Sequence, residues 1–378
     1  MIDATGRKFA ALLAVCGIGL FGYYYWAATR GPAESDLAVE SQPPAAVVPQ
    51  QEPPERRVPE ENAITTPAGR TASSEGPAVP DESGEEADAK ERRILYRHTR
   101  PDANYGALTE TFYPALDRLK FAAGFSCQAL HFAAGTGVCL TADRGVFTKY
   151  GADLFDSTYK KLFYFDLQGV PSRCRVSPNG KLAAWTVFVT GHSYASVDFS
   201  TQTTIADATS GEILADLEDF STTKNGEAFH SVDFNFWGVT FTPDSEGFFC
   251  TLSSGGKTYL VRGSIESRSF VVIRENVECP SLSPDGSTIA YKKRFIVDGR
   301  VRWRLHTLNL ESMLDTPLAE GRSVDDQLAW LDNEHVLYTL PDNELGSSAV
   351  TNVWVASIDR DEPPKLFLPA AYSPTVVR

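Results

Sequence analysis

The chain has 378 residues, with 35 basic and 49 acidic side chains and a formal net charge of −14 at pH 7. This length allows one large domain or two ordinary domains with a sizeable core. No basic stripe is left to neutralise phosphates, so the composition argues against nucleic acid as a partner.

The N-terminal segment, residues 1–30, contains a predicted transmembrane helix. Residues 9–28 are uncharged and mostly apolar, and about 20 such residues cross a bilayer once as a helix. Arg7 and Lys8 precede the stretch and an aromatic cluster ends it, which predicts a single-pass signal-anchor with a cytoplasmic N-terminus in the cell membrane. Two alternatives remain open: a cleaved signal peptide, and a lipoprotein signal in which Cys16 carries the lipid.

Residues 31–91 form a segment that is rich in Pro, Glu and Ala. Low hydrophobicity and negative charge leave too little apolar surface to offset the backbone entropy that folding removes. We therefore predict a disordered linker that holds the remaining domain, residues 92–378, away from the membrane and outside the cytoplasm.

The cysteines suggest one disulfide. Cys127 and Cys139 flank a short segment that can place them in neighbouring strands, and an extracytoplasmic location permits disulfides. We predict this pair as the candidate disulfide, although the sequence alone leaves the connectivity open. None of the cysteine spacings is that of a zinc site.

From Ile94 onward the chain consists of short alternating apolar runs that predict an all-β fold. One strand–turn–strand unit recurs, with Pro, then Asp or Asn, then Gly in its tight turn. The copies are "RVSPNGKLAAWTVF" from Arg175, "TFTPDSEGFFCTL" from Thr240, "SLSPDGSTIAYKK" from Ser281, "AWLDNEHVLYTL" from Ala329 and a degenerate "LHFAAGTGVCL" from Leu130.

The apolar residue before each turn recurs at intervals typical of propeller blades. These residues are Phe132, Val176, Phe241, Leu282 and Trp330. Each unit continues with two further strands, which makes four strands per blade. The region that begins near Ile94 supplies three strands and lacks an innermost one.

The C-terminal "YSPTVVR" supplies the missing strand. Its alignment with "CPSLSP" places Val376 at the position of Leu282, one repeat interval after Trp330. We therefore predict a six-bladed β-propeller closed by a C-terminal strand that completes the N-terminal blade. Such closure removes open sheet edges.

The "SPDG" turns, followed two residues later by "IAY", resemble the WD-like repeats of the TolB-like propeller family. Residues 92–378 as a whole resemble the membrane-anchored TolB-like proteins of actinobacteria. The resemblance implies an extracytoplasmic, non-enzymatic propeller that binds proteins. The chain differs from TolB itself in having no α/β domain before the propeller, and no partner-binding residue can be matched.

Propeller topology predicts where the unusual segments lie. Loops between the second and third strands and between blades share one face, which receives the segments 190–201, 222–238, 292–303 and 320–327. The predicted ligand- or partner-binding rim around the channel mouth consists of His192, Tyr194, His230, Asp233, Asn235, Trp237, Lys292, Arg294, Arg322, Asp325 and Asp326. Alternatively, these charges pair with one another between blades and the aromatic side chains fill the channel.

Three functions compete. The leading hypothesis is a membrane-tethered scaffold whose rim binds an envelope protein or a cell-wall component. The second is a small-molecule or glycan sensor at the channel mouth, and the third is a hydrolase or lyase framed by the propeller. "GHSYA" at Gly191 lacks the strand–turn–helix context of a nucleophile elbow, and no loop spaces oxygens as a calcium loop does. We therefore predict no catalytic residue, no metal and no cofactor.

Overall fold

A computed structural model describes residues 91–191, 193–194, 199–342, 349–359 and 361–378. The predicted transmembrane helix at 9–28 lies outside the described residues, as does the predicted linker apart from its last residue, so both stay predictions. Among the described residues, no helix is long and apolar enough to cross a bilayer.

The described part is built almost entirely from β-strands. The strands of the first half are β1 (Arg92–His98), β2 (Ala107–Tyr113), β3 (Lys120–Ser126), β4 (Ala129–Ala133), β5 (Thr136–Arg144), β6 (Thr148–Asp156), β7 (Lys161–Leu167), β8 (Val170–Val176), β9 (Leu182–Thr190), β10 (Ser200–Asp207), β11 (Ile213–Asp216), β12 (Ser221–Lys224) and β13 (Glu227–Ala228). A single 3₁₀ turn, Leu217–Asp219, precedes β12 in this part of the chain.

The second half continues the pattern without a described helix. Its strands are β14 (Asn235–Phe241), β15 (Gly247–Ser254), β16 (Lys257–Ser264), β17 (Ser269–Glu275), β18 (Glu278–Leu282), β19 (Thr288–Val297), β20 (Arg300–Asn309), β21 (Asp315–Pro317), β22 (Ala329–Trp330), β23 (His335–Pro341), β24 (Thr351–Ser357), β25 (Lys365–Leu368) and β26 (Ala371–Val376).

These strands form six sheets, which confirms the predicted six-bladed propeller. Five sheets have four strands, in the orders β26-β1-β2-β3, β4-β5-β6-β7, β8-β9-β10-β11, β18-β19-β20-β21 and β22-β23-β24-β25. The fourth blade, β14 to β17, carries β12 and β13 as two extra outer strands. This insertion explains why the repeat interval is longest between Val176 and Phe241.

The C-terminal strand closes the ring as predicted. β26 pairs antiparallel with β1, with Ile94 opposite Val376 and His98 opposite Ala371. Two hydroxyls of β26 also reach the next blade, since Ser373 Oγ donates to the carbonyl of Leu130 at 2.9 Å and Thr375 Oγ1 donates to the carbonyl of Phe132 at 3.2 Å. The strand β26 is therefore hydrogen-bonded both to β1 and to β4.

The repeated turns are closed hydrogen-bonding units. In "SPDG", Ser283 Oγ donates to Asp285 at 2.6 Å and accepts the backbone N–H of Thr288 at 3.0 Å. Gly286 has φ of +77°, a left-handed conformation that favours glycine, and its N–H donates to the carbonyl of Ser283 at 2.9 Å. The motif thus fixes the hairpin that follows each inner strand.

The hydrophobic core lies between adjacent blades. Val138 and Leu140 of the second blade, for example, belong to one buried cluster with Ala183 and Trp185 of the third. Cys127, directly after β3, is joined by a disulfide to Cys139 in β5, with Cα atoms 5.3 Å apart. This bond links the first blade to the second.

Candidate functional site

The central channel has two unlike ends, set by the direction of the inner strands β26, β4, β8, β14, β18 and β22. The "turn end" is where these strands finish and the repeated turns begin. The "loop end" is where they start, and it carries the inter-blade connections and the loops between second and third strands. The predicted rim residues that the structure describes belong to the loop end.

An aromatic cluster fills the loop end. Tyr194 and Trp237 are both buried, and their rings stack with centroids 4.6 Å apart. Phe188 and Phe199 complete the cluster, with Phe199 edge-on to Trp237 at 5.6 Å. The hydroxyl of Tyr194 is hydrogen-bonded to Ser172 Oγ at 2.6 Å. These aromatic rings therefore pack against one another.

A buried ion-pair network lies beside the aromatic cluster. Lys292 is fully buried, contacts Asp325 and lies 3.7 Å from Glu278. Arg294 Nε donates to Glu278 at 2.6 Å, and its Nη2 donates to the carbonyl of Tyr194 at 2.7 Å. Burial acts to lower the pKa of Lys292, but the nearby acidic groups, Asp325 foremost and then Cys279 and Glu278, together outweigh it and raise the pKa above its usual value.

Three members of this network are not among the predicted rim residues: Glu278, Trp303, which lies in the predicted segment 292–303, and Arg173. Trp303 Nε1 donates to Glu278 at 3.1 Å, and the Lys292 ammonium lies 4.5 Å from the centre of the Trp303 ring. Arg173 lies 3.8 Å from Asp325. A charged residue at the start of an otherwise apolar inner strand, as in "ECPSL", is the signal that could have identified Glu278.

The remaining rim residues sit apart from this network. Asp233 is exposed and accepts hydrogen bonds from Ser254 Oγ at 2.7 Å and the N–H of Gly255 at 2.6 Å. Side-chain hydrogen bonding from Ser231, with these two contacts, lowers the pKa of Asp233 to about 2. His230 is exposed, and its ring lies 6.1 Å from that of a neighbouring phenylalanine.

Three further rim residues hold backbone or local structure. Asn235 Oδ1 accepts the N–H of Thr201 at 2.8 Å, which ties two blades together. Asp326 is buried and accepts the N–H of Thr339 at 2.9 Å, and burial raises its pKa. Arg322 pairs with Glu320 at 2.6 Å and lies 3.9 Å from the centre of the Trp354 ring. His192 lies outside the described residues.

The structure therefore brings together Tyr194, Trp237, Lys292, Arg294 and Asp325, in the pairing and packing arrangement that the sequence analysis kept as its alternative. Asp325 remains 40% exposed at the surface of the network. Among the described residues, no group of His, Cys, Asp and Glu is arranged to hold a metal ion.

Two hairpins raise apolar side chains at the loop end. The β5–β6 hairpin exposes Val146 and Phe147, at 96% and 83%, and the β19–β20 hairpin exposes Phe295, Ile296 and Val297, with Ile296 at 66%. The second hairpin closes through Asp298 and Gly299, both with positive φ, a turn that suits the twist of paired strands. Because the hairpins belong to the second and fifth of six blades, they lie opposite each other across the channel.

The turn end, by contrast, holds an open cavity of about 280 Å³ lined by residues from all six blades. Its mouth is edged by exposed residues of the repeated turns, Pro178, Pro243 and Pro284. Its walls include Phe132 and Trp330. This cavity in the channel therefore lies at the turn end, and not at the end that carries the predicted binding rim.

Comparison with known proteins supports the fold. No family model matches the sequence, and no curated protein is significantly similar to it. The solved structure of TolB from Acinetobacter baumannii is similar with a TM-score of 0.53 at 16% identity, over 76% of this chain and 67% of that chain.

Two further solved structures have TM-scores below 0.5, so no property of this chain is inferred from them. A TolB from Agrobacterium tumefaciens, described as putative, gives a TM-score of 0.45 at 8% identity, over 74% of this chain and 88% of that one. A nidogen/laminin complex gives 0.47 at 11% identity, over 76% and 98%. The resemblance to TolB-like propellers predicted from the repeats is thus confirmed at the level of the fold.

Proposed function

From a six-bladed propeller with a TolB-like fold, we propose that this protein is a membrane-tethered, extracytoplasmic, non-enzymatic scaffold whose loop end binds another protein of the cell envelope. The observation that carries the proposal is the pair of exposed apolar hairpin tips, Val146–Phe147 and Phe295–Val297, on opposite sides of one face. Large apolar side chains held in solvent mark sites of association.

The surroundings of the tips suit a broad contact rather than a small ligand. The same end carries the buried, stacked rings of Tyr194 and Trp237 and the network around Lys292. Arg322 and Asp325 are partly exposed at the same end. Apolar contacts combined with accessible polar groups are the usual composition of a protein–protein interface.

The non-enzymatic part of the proposal follows from the state of the ionisable groups. Lys292, Glu278, Asp325 and Arg294 are satisfied by one another. An acid or base in catalysis has to reach a proton on a substrate, whereas these groups face their own partners. A structural role therefore accounts for the loop-end network more simply than catalysis.

The proposed location rests on the predicted helix at 9–28 and the linker at 31–91. The disulfide between Cys127 and Cys139 agrees with it, since such bonds persist in oxidising compartments. In this arrangement the linker lets the propeller reach partners at a distance from the membrane.

Photo-crosslinking tests the proposal in cells that make the full-length chain. A benzophenone amino acid placed at Phe147 or at Ile296 is expected to give the same crosslinked partner from both positions. The matched control is Leu366, an apolar residue that is 52% exposed on the outer strand β25 and is expected to give no such product. Absence of a common partner at the two tips, or an equal yield from Leu366, contradicts the assignment.

The small-molecule or glycan sensor remains the second candidate, and one observation favours it. The cavity of about 280 Å³ at the turn end approaches the size of pockets that hold small ligands. Its location differs from the rim predicted by sequence. A shift of the unfolding temperature with cell-wall fragments supports this function, and the same unfolding temperature with every fragment argues against it.

A further inference from the structure

The cavity at the turn end differs in charge from the rest of the chain. The described residues that line it include two arginines, Arg175 and Arg378, and one histidine, His131, but no aspartate or glutamate. This is unusual in a chain with 49 acidic side chains against 35 basic ones. The cavity is thus an electropositive hollow in an acidic protein.

Arg175, at the end of the inner strand β8, has only neutral partners within hydrogen-bonding distance. Its Nη2 donates to the carbonyl of Leu328 at 3.2 Å and to Ser281 Oγ at 3.4 Å, and its Nε donates to the carbonyl of Val239 at 3.5 Å. No carboxylate in the described part of the chain lies within ion-pair distance of it. The guanidinium, with five N–H donors, therefore retains capacity for an anion.

The surroundings make this charge costly without an anion. Burial lowers the pKa of Arg175 to about 10; Cys174, Asp326 and Cys279 act against this shift, and Arg378 acts with it. Arg378 donates to the carbonyl of Trp330 on the other side of the cavity, and burial lowers its pKa as well. Two partly desolvated cations of like sign favour a negative ligand between them.

His131 supplies a directed donor to the same space. Its Nδ1 accepts the N–H of Val176 at 3.0 Å, which leaves the proton of the neutral ring on Nε2. Burial, followed by the charges of Arg175 and Arg378, holds the pKa of His131 well below its usual range. The ring is therefore neutral, and it lines the cavity beside the two arginines.

The walls are largely apolar, with four hydroxyl residues among them, Thr240, Ser281, Ser283 and Thr375. The apolar part is formed by side chains that end the inner strands, Phe132, Val176, Phe241, Leu282, Trp330 and Val376. A free inorganic anion would leave these walls unused, whereas an anion with an apolar body would cover them. We propose that the turn-end cavity binds an organic carboxylate, with its charged head at Arg175 and His131 and its apolar body against these walls.

This site does not depend on the function of the loop end, because it lies at the opposite end of the channel. A carboxylate of this kind is either a free organic acid or the C-terminal carboxylate of a peptide. Both sources share the chemistry that the cavity recognises, and a titration with one of each distinguishes them.

The test is calorimetric titration of the full-length chain in a zwitterionic detergent. The probes are phenylacetate and the peptide acid N-acetyl-Ala-Leu, each paired with its neutral amide. Both acids are expected to bind and both amides to bind at least about tenfold more weakly, because the amide cannot form the charge-assisted contact with Arg175. The acid with the higher affinity identifies the source of the natural ligand.

Arg175→Gln is expected to weaken the binding of either acid by about tenfold or more. Arg302→Gln is the matched control, since it removes the same charge from an exposed position on β20, and it is expected to leave affinity unchanged. Equal binding of acids and amides, equal loss in both variants, or no binding of either acid to the wild-type chain overturns the proposal.

A second measurement needs no variant and covers the case in which Arg175→Gln does not fold. The wild-type chain labelled with ¹³C in its six histidines is titrated with phenylacetate and observed by NMR. The signal of His131 is expected to shift on binding while that of the exposed His230 stays in place. An unchanged His131 signal at saturation, or equal shifts for both, excludes the site.

Discussion

At the scale of single residues, the sequence identified several side chains that lie together at the loop end. It left open whether they are buried and paired with one another. Tyr194, Lys292 and Asp325 were recognised as unusual because charged and aromatic residues seldom cluster in connecting segments. Tyr194 and Lys292 contact Arg173 and Glu278, which lie in other strands and are not among the predicted rim residues. Whether a charge faces solvent or a partner is decided by tertiary contacts that no spacing rule contains.

The network around Lys292 makes a first prediction. Lys292→Met leaves two carboxylates, those of Glu278 and Asp325, without their shared cation. Loss of one partner from a buried pair is expected to lower the free energy of unfolding by about 3 kcal/mol, measured by urea denaturation. Lys293→Met is the control, because this neighbouring lysine is more exposed and pairs with Asp315.

The Lys293→Met change is expected to cost less than Lys292→Met, because the Lys293 side chain keeps partial exposure and Asp315 still pairs with Arg274 and His306. Equal losses in the two variants would show that the buried network is not a special source of stability. A loss confined to Lys292→Met supports the assignment of the loop-end charges as structural.

Glu218 makes a second prediction at this scale. Burial raises its pKa to about 8, although its carboxyl group accepts the N–H of Thr203 at 3.0 Å. The unfolded chain ionises a glutamate near pH 4.3, so the folded state binds more protons between about pH 4 and about pH 8. Stability conferred by this group is therefore lost as the pH rises through that window.

Replacement of Glu218 by glutamine removes the titratable group but keeps a side-chain oxygen that accepts the N–H of Thr203. The difference in free energy of unfolding between Glu218→Gln and the wild type is expected to increase from pH 5 to pH 8 in favour of the variant, by a few kcal/mol, since one pKa unit is about 1.4 kcal/mol. Glu246→Gln, at an exposed position, serves as the control and is expected to show no such trend. A constant difference across the range contradicts the raised pKa.

At the scale of elements, the repeated turns were the most predictable part of the fold. Most hydrogen bonds of "SPNG" and "SPDG" join residues within or next to the motif, so the local sequence largely decides the local structure. The strands β12 and β13 were not predicted, because they join the fourth blade through the parallel pairing of β12 with β17, opposite residues distant in sequence such as Ser221 and Ser269. The open cavity was missed for a similar reason, since its arginine and histidine come from different blades.

The disulfide between β3 and β5 makes a third prediction. Cys127 and Cys139 are both buried and connect the first two blades. Cross-links of this kind stabilise a folded protein by about 2–4 kcal/mol. Reduction with dithiothreitol is expected to lower the free energy of unfolding by that amount, measured by urea denaturation with and without reductant.

The double variant Cys127→Ser, Cys139→Ser provides the control for this measurement. It is expected to start from the lower stability and to show no further effect of reductant, because Cys250 and Cys279 are free and buried. An unchanged wild-type transition under complete reduction contradicts a stabilising role for the bond.

At the scale of the whole molecule, ring closure is the feature on which every functional argument depends. A closed ring sets two unlike ends: a loop end with exposed apolar hairpin tips and a buried cluster of aromatic and charged side chains, and a turn end with a cavity lined by arginine and histidine. The sequence predicted closure because Val376 lies one repeat interval after Trp330. It could not predict which end stays open, since that depends on how side chains from six blades fill a common axis.

Hydrogen exchange of the full-length chain, followed by mass spectrometry, tests ring closure most directly. β26 is bonded to β1 on one side and lies beside β4 on the other. Peptides that cover residues 371–376 are therefore expected to exchange as slowly as those that cover residues 92–98. Exchange of residues 371–376 within seconds, as in an unpaired terminus, while residues 92–98 remain protected, would show that the ring is open.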